Sequence, residues 1–113
     1  MAQAQTATPD LMEQYNQVVD SHRVYLNQLQ AAFDKECERI GNESKKKLET
    51  VPEEDVETRK QILMEQQQKL DKALADLKHV ATQKSNEVRK KLEEIQNLRD
   101  QQTLNIEQEL ANL

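Results

Sequence analysis

The chain has 113 residues: 35% hydrophobic, 33% charged and only 3% aromatic, with one glycine and no tryptophan. That allows at most one ordinary domain with a thin aliphatic core, and a single glycine leaves no phosphate-cradling loop. The formal charge of −5 argues against general nucleic-acid binding, which needs a clustered basic footprint.

Residues 1–8 are a polar Ala/Gln/Thr lead without periodicity and are expected to be disordered. They have neither the basic start nor the apolar run of a secretory signal. The longest apolar runs are three residues, Ala31-Ala32-Phe33 and Ile62-Leu63-Met64, whereas a membrane-spanning helix needs about 20. A cytoplasmic protein without a transmembrane segment is expected.

Thr8-Pro9-Asp10 reads as a helix start, with Thr8 as cap, Pro9 in the first helical position and Asp10 facing the positive helix end. A stripe then steps by threes and fours through Leu11, Tyr15, Val18, His22, Leu26, Leu29, Phe33, Cys37, Ile40, Leu48 and Val51, as on one face of a helix. The spacing predicts a helix over 9–49. Gly41 would cost that helix about 1 kcal/mol relative to alanine. Because Ile40, Ser44 and Leu48 keep phase across it, the helix is read as continuous; the alternative is a C-terminal cap after Ile40. Cys37 is the only cysteine and can form no internal disulfide, so it is read as a small apolar side chain on the stripe.

Thr50-Val51-Pro52-Glu53 is the strongest boundary. It matches a capping box, and Pro52 cannot sit inside a continuing helix. This predicts a turn at 50–52 and a second helix over 53–113, whose stripe is Val56, Leu63, Leu70, Leu74, Leu77, Ala81, Val88, Leu92, Ile95, Leu98, Ile106, Leu110 and Leu113. The steps from Leu29 to Val51 follow an eleven-residue repeat, close to a straight helix. Those from Val56 through Leu63 and Leu70 to Leu77 follow a seven-residue repeat, which favours left-handed supercoiling.

The fold class is therefore all-α: an antiparallel helical hairpin completing a bundle by dimerisation. A reversal at 50–53 sets Leu11 against the neighbourhood of Leu92 and His22 near His79, and leaves 93–113 overhanging. A monomeric three-helix bundle, with a break near 82–86 capped by Ser85 or Asn86, is the alternative. Several stripe positions are doubled, among them Leu11/Met12, Ala32/Phe33, Ile62/Leu63, Ala73/Leu74 and Val80/Ala81, which asks for more than one neighbouring helix. Four polar residues interrupt the stripe, Ser44, Gln67, Lys84 and Gln102; such positions either fix register or snorkel to water.

Nothing in the pattern points to catalysis. His22 and His79, with Asp20 or Asp76, are the best metal constellation, but zinc wants three or four ligands and no His-x-x-x-His spacing occurs. Cys37 and His22 are about 22 Å apart along a helix. No catalytic residue, cofactor or metal is expected. The basic residues concentrate in Lys45-Lys46-Lys47 and between Lys78 and Lys91; beyond Arg99 only acids remain, Asp100, Glu107 and Glu109. The expected function is non-enzymatic: an adaptor, assembly factor or small chaperone that binds a protein partner or a second copy, a dimer being favoured. The candidate contact residues are Ile95, Leu98, Ile106, Leu110 and Leu113, because an exposed stripe of that length calls for a partner. Two other classes are reversible binding to lipid or another apolar surface, and a structural spacer or filament subunit. The lack of Trp and of a basic polar face weighs against lipid.

Overall fold

The computed structural model describes residues 10–113, and among these 91% are helical, with no strand. Two helices, α1 (Leu11–Glu49) and α2 (Val56–Ala111), pack as an antiparallel hairpin. The polar lead and the expected Thr8–Pro9 start lie outside the described residues. Asp10 caps α1: its Oδ1 accepts from the amide of Glu13 at 3.0 Å, satisfying one of the helix's free donors. Glu13 adds an acid to the first turn.

α1 runs unbroken through Gly41, whose φ is not positive. Ile40 and Ser44, both buried, carry the inner face across it. The reversal differs from the expected capping box. The Thr50 hydroxyl donates to the carbonyl of Lys47 at 2.8 Å, so Thr50 closes α1 instead of opening α2. Asp55 is the cap of α2, its carboxylate accepting from the amide of Thr58 at 3.2 Å and from the Thr58 hydroxyl at 2.8 Å. Aspartate is the stronger N-cap of the two, and residues 52–55 are used in a turn closed by the Asp55 amide on the Pro52 carbonyl at 3.1 Å. α2 therefore starts at Val56 and not at Glu53. Arg59 reaches back across the reversal. One guanidinium nitrogen donates to the carbonyls of Leu48 (3.2 Å) and Val51 (3.1 Å), beside the Val51 amide that also donates to Leu48 at 3.2 Å.

Contacts divide the hairpin into two units. Tyr25–Gln83 contains the turn; the other joins α1 as far as Val24 with Lys84–Leu113. In the turn unit, Ile40 and Ile62 are the buried apolar side chains. The ion pairs Glu43–Lys69 (3.1 Å) and Lys47–Glu65 (3.8 Å) bridge its two arms. In the other unit Leu11 and Val88 are buried, and His22 Nε2 lies 3.3 Å from the Ser85 hydroxyl. The longer turn shifts the register: His22 faces Ser85, not His79, and Leu11 shares a groove with Ile95, one helical turn beyond Leu92.

The covered face of α2 runs through Ile62, Gln66, Leu70, Ala73, Leu77, Ala81, Lys84, Val88, Leu92 and Ile95, in steps of four, four and three. This overturns the seven-residue reading. Of its four positions Leu70 and Leu77 lie on this face, but Leu63 is 50% exposed and Val56 is exposed as well. An eleven-residue repeat holds 3.67 residues per turn and stays on one face of a straight helix, whereas a seven-residue line drifts by about 20° per heptad and runs onto the surface. α1 follows the same four-four-three pattern from Leu11 to Leu48, so the two arms share one period. Ser44 is buried and Lys84 half-buried, but Gln67 and Gln102 are exposed. α2 also continues through 82–86, where Asn86 accepts from the Arg89 guanidinium at 2.8 Å and caps nothing; no third helix forms among the described residues.

Candidate partner-binding surface

α2 outruns its partner helix. Ile95 is its last half-buried residue and lines an open groove with Leu11, Met12, Tyr15, Gln96 and Arg99. From Gln96 to Leu113 every residue is exposed. This arm remains helical to Ala111 on local interactions, amides and a hydroxyl one turn apart: Gln96 to Asp100 and Gln101 to Asn105, each at 3.1 Å, and Thr103 to the Arg99 carbonyl at 3.1 Å.

Of the five residues expected to contact a partner, Ile95 is engaged within the chain. Leu98, Ile106 and Leu110 stand on the arm at 55%, 58% and 63% exposure. Leu113 is fully exposed just past the helix end, its amide on the Leu110 carbonyl at 3.3 Å. At 100° per residue, Leu98, Gln102, Ile106 and Leu110 fall on the face that Ile95 begins; exposed Leu104 falls opposite. Charge along the arm is sparse: Arg99 is its one cation and Asp100, Glu107 and Glu109 its acids.

A second apolar surface lies in the turn unit. Leu29, Ala32, Phe33, Ala73, Leu77 and Val80 line an open groove of about 510 Å³ edged by Arg39, Lys69 and Lys72. The doubled stripe positions explain it. In Ala32/Phe33, Ala73/Leu74 and Val80/Ala81 one member turns inward and the other stands exposed. The groove was hidden in the sequence because its lining comes from two segments whose register depends on the turn.

Ion pairs ride on the edge of this groove. The Lys69 ammonium, hydrogen-bonded to Glu43, holds that carboxyl below its ordinary range, with Lys47 and Arg39 acting in the same direction. A hydrogen bond from Arg39 does the same for Glu36, and the two carboxylates raise the guanidinium in return. At the reversal, the side-chain and backbone bonds from Thr58 lower the Asp55 carboxyl.

The chemical candidates are dispersed. His79 is exposed, Cys37 is a half-buried free thiol, and His22 Nδ1 is buried without a hydrogen-bond partner. Among the described residues no three His, Cys, Asp or Glu side chains gather as a metal site would require, and no helix is long and apolar enough to cross a membrane. No family model, curated protein or solved structure matches the chain.

Proposed function

We propose that the chain is a non-enzymatic helical interaction protein, an adaptor, assembly factor or small chaperone, that binds a protein partner through the arm of α2 beyond Gln96. The observation that carries this reading is that every residue from Gln96 onward is exposed, with Leu98, Ile106 and Leu110 aligned in one row. A helix of about 15 residues is marginal in water by itself, and most helical stability comes from packing an apolar face. An arm that presents such a face with nothing covering it among the described residues is suited to lend it to another helix.

The test is co-purification from the native source. The full chain is compared with a chain ending at Gln101, which keeps Ile95 and Arg99 in their groove, and with the double variant L98D/L110D. A partner retained by the full chain and lost by both variants supports the reading. Equal retention by all three refutes it.

A further inference from the structure

We propose that the arm's partner is a second copy of this chain, bound antiparallel about a two-fold axis near Leu104. This rests on the reading of the arm as a contact surface and names its occupant. Three features point there. First, the apolar row is self-complementary. On the exposed part of the helix the steps from Leu98 to Gln102, Ile106 and Leu110 are all four, the same in both directions. Reversed against itself, the row sets Leu98 opposite Leu110 and Gln102 opposite Ile106, each pair occurring twice, as an isologous interface requires.

Second, the charges agree with that direction. Arg99, Thr103 and Glu107 form the neighbouring i,i+4 row along one side of the apolar face. In the antiparallel pair, Arg99 of each copy lies beside Glu107 of the other. A parallel pair would turn the matching flanks of the two copies to opposite sides of the seam and lose this pairing. Neither Arg99 nor Glu107 has an ion-pair partner among the described residues, so both are free to pair across copies. Third, the row is exposed at Leu98, Ile106 and Leu110, so the contact requires no rearrangement of the hairpin. The single polar residue in the row, Gln102, limits affinity and helps hold the register, as a buried polar residue does in a helical seam.

The experiment is sedimentation equilibrium of the purified full chain over a concentration series, with far-UV circular dichroism to confirm that each variant keeps its helix. A monomer–dimer equilibrium is expected, and L98D and L110D should each leave only monomer. R99E and E107R should each weaken the dimer about tenfold, equivalent to about 1.4 kcal/mol. The double variant R99E/E107R should recover it, because the pair is restored with its sign exchanged. A chain that is monomeric at every concentration overturns the proposal, as does a dimer indifferent to L110D or a double charge reversal that recovers nothing. These outcomes are separable from failure of the interaction reading itself. A monomeric chain that still captures another protein through Leu98 and Leu110 rejects only the second copy as occupant.

Discussion

Replacing Gly41 with alanine should stabilise the protein. Gly41 lies inside α1 without a positive φ, so its backbone does not need glycine. A Cβ built there meets nothing within 4 Å, so no clash offsets the gain. What remains is the helix-propensity difference, about 1 kcal/mol, arising largely from the backbone freedom that glycine loses on folding. For a chain of this size that corresponds to a Tm rise of about 4 °C, or to a urea midpoint higher by about 0.5 M if m is about 2 kcal/mol/M. The assay is thermal and urea unfolding followed by circular dichroism, at one protein concentration because self-association would shift both midpoints. The slope m should not change, since the same surface is exposed on unfolding. An unchanged or lower midpoint would refute the argument. It would mean either that α1 is interrupted at Gly41 in solution, or that another chain approaches its backbone too closely for a methyl group.

The reversal offers two more tests and the ion pairs one. Arg59→Met keeps the apolar stem but removes the guanidinium donor to the Leu48 and Val51 carbonyls, and should cost about 1–2 kcal/mol in the same unfolding assay; a neutral result would show that water, together with the Val51 amide already on Leu48, satisfies those carbonyls equally well. Asp55→Ala should cost about 1 kcal/mol as a lost N-cap, whereas Glu53→Ala should stay within about 0.5 kcal/mol because Glu53 precedes the helix; the reverse order would reinstate the Thr50–Glu53 capping box. Glu43 and Asp55 ionise in the folded chain below their ordinary values of 4.5 and 3.8, so their stabilisation is present above those values and is lost as pH falls through the depressed folded ones. The urea midpoint should therefore drop as pH is lowered from about 5 to 3, and Glu43→Gln should flatten that slope; an unaltered slope would rule Glu43 out as a contributor.

The parts of the fold legible in the sequence were those set by phase along one helix. Ile40, Ser44 and Leu48 keep step across Gly41, so α1 could be read through the glycine, and Pro52 could only mark an end. What local sequence leaves open is the choice between competing local solutions. Thr50 and Asp55 can each cap a helix three residues ahead, and the stronger cap won, lengthening the turn. That one choice moved every partner across the hairpin, which is why His22 meets Ser85 and not His79. The same limit applies to the face of α2. Leu63 attracts a seven-residue reading because leucine is the larger signal, yet Ile62 keeps step with α1, as Ala73 does beside the exposed Leu74. Alanine on the inner face lets the helices approach, and the displaced leucine is left on the surface. The arm was legible for a different reason: it depends only on the two helices being unequal in length, and a three-residue error in the turn does not remove an excess of about 15 residues. Where a site follows from chain length it survives errors of register; where it is assembled from two segments, as the groove between Phe33 and Leu77 is, it does not.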